Sequence, residues 1–164
     1  VKSLLNAYGV MYYESLHEAD DVCAYMVKTG KAWACISDDM DMFVYGCNRV
    51  LRNVSLLNKS VILYDTSSIL DELCMTENTF REIMVLSGTD YNKSYGNLFD
   101  IYNNMIEYKK LPENDISFDM WVSNNKIITG NITEVMESKQ YYKINEMRIL
   151  KKYPFIVIKH GRTF

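Results

Sequence analysis

Apolar and polar residues alternate along the start of the chain in a pattern that predicts a strand, a helix and a further strand. Residues 10–13 form a short β-prone run that we expect to be a buried strand. Apolar side chains then recur at helical spacing over residues 17–29, and Ser15 with Glu18 forms a capping box for that helix. Residues 32–36 are a continuous apolar run of strand length, which is typical of an interior parallel strand.

Acidic residues follow both of these predicted strands. Glu18 and Asp20 come after the first strand, and Asp39 and Asp41 come after the second. A strand, a helix and a strand with short turns between them form a right-handed β-α-β unit, in which both strands end at the same edge of the sheet. We therefore expect both acidic pairs to lie at one edge of the sheet.

The rest of the chain predicts further strands and then mainly helices. Residues 51–57 and 61–64 have strand patterns, and Thr76 is placed to cap a helix that runs to about Ser87, where Gly88 ends it and presents Asp90 in a loop. A short helix is predicted to end at Gly9, and another covers residues 66–73 with Thr66 or Ser67 as its cap. Three more helices are predicted over residues 95–110, 117–122 and 132–142. A last strand is predicted over residues 155–158. The predicted fold class is α/β, with a mainly parallel sheet flanked by helices and a mostly helical C-terminal part.

Length and composition indicate one globular domain without a membrane span. The 164 residues are enough for a domain with its own core, and no apolar run approaches the roughly 18 to 20 residues that a span needs. No secretory signal pattern opens the chain, and because it starts directly at Val1 in an amphipathic pattern, we expect it to be a piece of a longer protein. Its many Asn, Tyr, Ile and Lys residues are typical of AT-rich genomes, viral ones among them, and we expect an intracellular location in the nucleus or cytoplasm.

The four cysteines do not have the spacing of a zinc site. None of them forms a CxxC pair, and the two histidines are far apart in the chain. Cys23 and Cys35 lie inside apolar runs, so we expect them to be buried free thiols in a reducing compartment. Trp33 and Trp121 are most simply core residues.

Charge is distributed unevenly along the chain. The whole chain carries a net charge of −3, whereas residues 1–46 carry −4 and residues 139–164 carry +6. An acidic half with a basic tail suits a metal site that acts on a polyanion, although a solvated terminus is the simpler interpretation of the tail.

Carboxylates that gather at one edge of a sheet repel one another, so such an arrangement needs a cation. Mg²⁺ prefers oxygen ligands and keeps several of its waters. The acidic residues therefore predict a divalent metal site at this edge, and the alternative is that they cap helices and solvate loops.

Four short motifs, taken in order, resemble the internal nuclease region of flap endonucleases and XPG-type 5′-nucleases. They occupy residues 17–24, 27–31, 38–41 and 86–91, with the sequences HEADDVCA, VKTGK, DDMD and LSGTDY. The resemblance covers about residues 2–92 and implies a PIN-like, Rossmann-like fold. It also implies that residues 1–92 are the internal-region half of a 5′-nuclease domain and that residues 93–164 are a helical C-terminal extension with a basic tail.

The resemblance also implies an activity and a set of ligands. It implies a structure-specific nuclease that hydrolyses phosphodiester bonds of flapped or branched DNA in replication and repair, with two Mg²⁺ or Mn²⁺ ions in the complete enzyme. The residues that it implies as catalytic and metal-binding are Glu18, Asp20, Asp39, Asp41 and Asp90. Asp21 and Asp38 have no counterpart in the motifs and are expected to be helix-start or surface carboxylates.

Two departures from the family pattern leave other interpretations open. The family has an N-terminal half with further metal carboxylates, which would come here from an unprocessed precursor or from a second polypeptide. Residues 92–98 keep one glycine and lack the glycine-rich pattern with which the family grips duplex DNA. The alternatives are a catalytically inactive, nuclease-derived structural or interaction protein and an RNA-directed nuclease.

Overall fold

A mixed sheet forms the first part of the molecule. The computed structural model describes residues 1–15, 18–111, 116–127, 131–144 and 149. Within these ranges, one three-stranded sheet has the order β1 (Cys35–Ile36), β2 (Arg49–Ser55) and β3 (Ser60–Asp65). Strands β1 and β2 are parallel, with Cys35 opposite Val50, and β2 and β3 are antiparallel neighbours. One of the two strand pairs is therefore parallel.

Helices surround this sheet and dominate the chain after it. In the described chain they are α1 (Lys2–Ala7), α2 (Asp20–Lys28), α3 (Asp41–Val44), α4 (Thr66–Glu72), α5 (Glu77–Ser87), α6 (Leu98–Lys109), α7 (Phe118–Asn124) and α8 (Ile132–Tyr141). Helix α5 is central, because α3, α6, α7 and α8 all pack against it. None of the described helices combines the length and apolar character that crossing a membrane requires.

The hydrophobic core continues from the sheet into the C-terminal helices. Met42 of α3, Val50 of β2, Leu86 of α5, Ile101 of α6 and Val135 of α8 are all buried in one cluster. The C-terminal helices therefore pack on the same core as the sheet. The division of the chain at residue 92 stays a prediction.

Side-chain caps explain where several helices begin. Thr76 accepts a backbone N–H three residues along, which confirms it as the cap of α5. Helix α4 begins directly after Asp65, whose carboxylate is the cap, so the predicted caps Thr66 and Ser67 are wrong. Asn97 caps α6, so this helix begins at Leu98. The sequence pattern predicted an earlier start, at residue 95.

The predicted N-terminal strand and the predicted cap of α2 are wrong. Residues 10–13 form no strand, and Met11 is 97% exposed, because no described strand lies beside them to complete a ladder. Helix α2 begins at Asp20 without a side-chain cap, and the Ser15 hydroxyl donates instead to the carbonyl oxygen of Glu18 at 3.0 Å. The parallel connection runs from β1 through α3 to β2.

The strand predicted over residues 32–36 is reduced to the two residues of β1. Trp33 was expected in the core but is 61% exposed, and the Arg49 guanidinium lies over its ring at 5.3 Å from the centroid. Trp121 packs against the core beside Phe118, as predicted. The strand predicted over residues 155–158 and most of the basic tail lie outside the described residues.

The cysteines are free thiols, as expected from the sequence. Cys35 is buried, whereas Cys23 is half-buried and hydrogen-bonds to it.

Candidate functional site

The five carboxylates singled out in the sequence lie beside the ends of three helices. Glu18 immediately precedes α2, Asp20 is the first residue of α2, and Asp39 lies in the loop between β1 and α3. Asp41 is the first residue of α3, and Asp90 lies in the turn after α5. Glu18 and Asp90 are exposed, while the other three are half-buried or buried.

Electrostatic coupling shows that carboxylates from distant parts of the chain converge. Burial raises the pKa of Asp20, and repulsion by Asp39, Glu18, Asp21 and Asp90 raises it further. Since such repulsion weakens with distance, acids from the loop after β1 and from the turn after α5 must both lie near the start of α2.

Asp41 is the most buried of the five carboxylates, with 9% of the residue exposed. Its backbone N–H donates to Asp39 Oδ1 at 2.8 Å, and the Tyr142 hydroxyl donates to its Oδ2 at 2.5 Å. Burial raises the pKa of Asp41, the hydrogen bond from Tyr142 opposes this, and the charges of Asp39, Asp90 and Asp20 raise it further. Asp41 is therefore coupled to the other acids and has one oxygen held by a tyrosine.

Four tyrosines pack together beside these acids, and we call them the tyrosine cluster: Tyr45, Tyr91, Tyr141 and Tyr142. The rings of Tyr91 and Tyr141 stack at 5.0 Å and 10°, and Tyr142 meets the rings of Tyr45 and Tyr91 edge-on at 4.9 and 5.3 Å. The Tyr91 hydroxyl donates to the Glu18 carboxylate and lies 3.4 Å from the Tyr45 hydroxyl. Two of the five carboxylates are thus held by tyrosine hydroxyls.

Sequence reasoning missed the contact between the tyrosine cluster and the acids. Tyr142 lies 101 positions after Asp41, and the spacing of residues 132–142 indicates only a helix that packs on the core. The one signal available was the abundance of tyrosine, which occurs 13 times in the chain. No local pattern distinguishes the tyrosines that meet carboxylates from the others.

A partly buried ion-pair network connects the three helices that carry the acids. Glu77 at the start of α5 accepts hydrogen bonds from Lys28 of α2 at 2.7 Å and from Arg81 at 2.5 Å. Arg81 also donates through Nε to the carbonyl oxygen of Val44 in α3 at 3.0 Å. Burial acts to raise the pKa of Glu77, but Lys28 and Arg81 hold it below its usual range.

Asp38 has a structural contact, in line with its exclusion from the predicted ligands. Its carboxylate accepts the N–H of Asn53 at 2.8 Å, and Arg52 donates to its carbonyl oxygen at 2.7 Å. These bonds connect the loop after β1 to β2. Asp21 lies in the first turn of α2, where it adds to the repulsion felt by Asp20.

The chemistry of this group fits a hard divalent ion. The described side chains include no group of three or more His, Cys, Asp or Glu that is arranged to hold a metal ion. In the same part of the chain, no Lys or Arg forms an ion pair with any of the five acids. Oxygen donors that repel one another without a counter-charge fit Mg²⁺ or Mn²⁺, which one or two carboxylates hold while waters fill the other positions.

Comparisons with known sequences identify the region that carries these acids. The XPG I-region family model matches residues 9–90, which is half of the chain. Flap endonuclease 1 of Methanococcus aeolicus is 35% identical over 91 residues, which cover 56% of this chain and 28% of that protein. Flap endonuclease 1 of Glycine max is 37% identical over 93 residues, which cover 55% and 24%. The chain therefore spans less than a third of the length of these relatives.

Solved structures extend the similarity beyond the matched sequence. Flap endonuclease-1 from Methanococcus jannaschii superimposes with a TM-score of 0.68 at 25% identity, over 87% of this chain and 42% of that one. The catalytic core of Rad2 in complex with DNA substrate gives 0.61 at 26% identity, over 88% and 53%. Human GEN1 in complex with Holliday junction DNA gives 0.60 at 22% identity, over 98% and 41%, which supports the fold alone. The predicted PIN-like α/β fold is therefore confirmed, and the chain belongs to the XPG I-region family.

Proposed function

We propose that this chain is part of a divalent-metal-dependent, structure-specific 5′-nuclease that hydrolyses phosphodiester bonds in flapped or branched DNA. The observation that carries the proposal is a series of contacts that joins the acid-bearing segments. Tyr142 donates to Asp41 and packs against the ring of Tyr91, and Tyr91 in turn donates to Glu18. The relatives named flap endonuclease, and the related Rad2 structure that contains a DNA substrate, support DNA as the substrate.

The proposed metal ligands are the five acids Glu18, Asp20, Asp39, Asp41 and Asp90, with Mg²⁺ or Mn²⁺ as the metal and two ions in the complete enzyme. When bound beside a phosphodiester, such ions supply an acidic water and stabilise negative charge on the phosphate. Asp41 and Asp39 form the rigid part of the site, because the N–H of Asp41 bonds to the Asp39 carboxylate. Glu18 and Asp90 are exposed and so are accessible to ions and to DNA.

We propose further that β1 pairs with the other half of the nuclease domain, supplied by another part of a longer protein or by a second polypeptide. Within the described chain, β1 pairs with β2 alone, so its other edge has no strand beside it. Ile36 of β1 is 69% exposed, and Trp33 just before it is also exposed. An unpaired edge with large apolar side chains is a surface that proteins normally cover.

The direct test is a cleavage assay in the protein that contains this chain and the complementary half of the domain. With Mg²⁺ and a 5′-flap DNA, we expect cleavage that Asp39→Ala and Asp90→Ala each reduce by at least about a hundredfold. Asp71→Ala is the matched control, because Asp71 is an exposed carboxylate on α4 outside the acidic group. Cleavage that both site variants leave unchanged would contradict the proposal and would favour the inactive structural alternative.

A further inference from the structure

The Tyr142 hydroxyl and the Asp41 carboxylate form a buried pair within the acidic group. Tyr142 has no exposed surface, and its hydroxyl donates to Asp41 Oδ2 at 2.5 Å. In the described chain, this is the single hydrogen bond that the Asp41 carboxylate accepts from another side chain. We infer that Tyr142 is a positioning residue that fixes the orientation of Asp41 as a metal ligand, an inference that rests on the proposed function.

The ring of Tyr142 is held on two sides, so its hydroxyl has a defined direction. It meets Tyr45 edge-on at 4.9 Å and 61°, and Tyr91 edge-on at 5.3 Å and 74°. Aromatic rings packed in this way lose little further freedom when they make a hydrogen bond. The tyrosine cluster therefore works as a rigid support from which one donor reaches Asp41.

One oxygen of Asp41 accepts a hydrogen bond from Tyr142, and this restrains the orientation of the carboxylate. Oδ2 accepts the phenol hydrogen, and the backbone N–H of the same residue is tied to Asp39 Oδ1. Side chain and backbone of Asp41 are thus both held in place, and in the described chain its Oδ1 accepts no hydrogen bond from another side chain. Hydrogen bonds to metal-binding carboxylates orient the ligand, and their loss typically lowers metal affinity 10- to 100-fold.

Tyr142 comes from the end of α8 and lies outside residues 9–90, which carry the family match. The C-terminal helices therefore contribute to the site as well as to the core. Tyr142 therefore gives the end of α8 a role in the site, although this segment lies outside the sequence motifs.

The test is calorimetric titration, with Mn²⁺, of the protein that contains this chain and the complementary half of the domain. We expect Tyr142→Phe, which keeps the packed ring, to weaken Mn²⁺ binding by about 10-fold or more. Tyr95→Phe is the matched control, because the Tyr95 hydroxyl is also a donor from a buried ring to a carboxylate, that of Glu134 at 2.9 Å. The control should bind Mn²⁺ like the wild type.

The outcomes separate this inference from the proposed function. If this wild-type protein binds no Mn²⁺, both the metal site and the role of Tyr142 are overturned. If the wild type binds but Tyr142→Phe binds equally well, or Tyr95→Phe weakens binding as much, the inference alone is overturned. Replacing Tyr142 with 4-aminophenylalanine restores a donor at the same place and must restore affinity, which keeps the test decisive even if the Phe variant does not fold.

A double-mutant cycle of Tyr142 and Asp41 distinguishes positioning of the Asp41 ligand from a purely structural role of Tyr142. In an Asp41→Asn background the ligand is already lost, so Tyr142→Phe should weaken residual Mn²⁺ binding no further. Fully additive losses from the two substitutions would show that Tyr142 acts on metal binding by a route other than Asp41.

Discussion

The Tyr91 hydroxyl donates a hydrogen bond to the Glu18 carboxylate, although the two residues are 73 positions apart in the chain. Tyr91 follows Asp90 in the turn after α5, and Glu18 precedes Asp20 at the start of α2. The bond therefore ties together two of the segments that carry the proposed ligands. It also explains how an exposed glutamate keeps a defined position.

Removing this hydroxyl with Tyr91→Phe should raise the Mg²⁺ concentration needed for half-maximal flap cleavage by about 10-fold, because Glu18 loses its anchor. Stability should change little, since Tyr91 is partly exposed. Tyr141→Phe is the control, because its ring stacks on Tyr91 while its hydroxyl bonds to no described group. Equal Mg²⁺ dependence in wild type and Tyr91→Phe would show that the bond has no role in metal binding.

Arg81→Met should lower the free energy of unfolding by about 2 to 3 kcal/mol, because it leaves the Val44 carbonyl without this donor and the Glu77 carboxylate with only its bond from Lys28. Arg81 is only 7% exposed, so water cannot replace it freely. Urea denaturation measures the loss. The control is Lys110→Met, whose exposed pair with Glu107 should contribute only about 0.5 kcal/mol. A loss for Arg81→Met no larger than this control value would contradict the role given to the network.

Gly88→Ala should be markedly more destabilising than Gly30→Ala. Both glycines have positive φ, +102° and +70°, which an alanine adopts only with strain. A Cβ at Gly88 would also meet the backbone nitrogen of Ser94 at 2.9 Å, whereas a Cβ at Gly30 meets nothing within 4 Å. Thermal denaturation should show a loss of about 1 to 3 kcal/mol at Gly88. Identical losses at the two positions would mean that the Ser94 contact is unimportant.

The C-terminal helices should become less stable at acidic pH, because Asp119 loses its negative charge there. Lys139 donates to Asp119 at 2.8 Å and to Glu82 at 2.7 Å. Burial acts to raise the pKa of Asp119, but Lys139 and Ser117 hold it below its ordinary value of 3.8. Because the folded-state pKa is depressed, the carboxylate stabilises the fold fully above that ordinary value, and this stabilisation is lost as pH falls through the lower folded-state pKa.

The free-energy difference between wild type and Asp119→Asn should therefore be large at about pH 7 and should shrink below about pH 4. Urea titrations across this range provide the measurement. Glu107→Gln serves as control, since its ion pair is exposed and its difference from wild type should stay small throughout. A difference for Asp119→Asn that does not change with pH would contradict this assignment.

Local signals in the sequence were sufficient to predict those helices whose first and last residues determine where the helix begins and ends. Helix α5 begins at a threonine that caps it and ends at a glycine with φ of +102°, and both residues can be recognised without knowing the fold. The assignment of the five acids as ligands depends on the order of the four family motifs along the chain, and it stays a prediction.

Features that depend on a partner from elsewhere in the fold could not be predicted. Residues 10–13 have a β-prone pattern, but a strand requires a neighbouring strand, and none of the described strands provides one. Trp33 is apolar and still exposed, because burial depends on what covers the end of β1. The pairing of Tyr142 with Asp41 joins residues 101 positions apart, a separation at which periodicity carries no information.

The most direct measurement is electron paramagnetic resonance of Mn²⁺ mixed with the protein that contains this chain and the complementary half of the domain, which separates free from bound ion. We expect saturable binding that Asp41→Asn and Asp20→Asn each weaken by about 10-fold or more, with Asp71→Asn indistinguishable from wild type. If this folded protein left Mn²⁺ entirely free, or if all three variants bound it equally well, the gathering of these acids around a shared cation would be refuted.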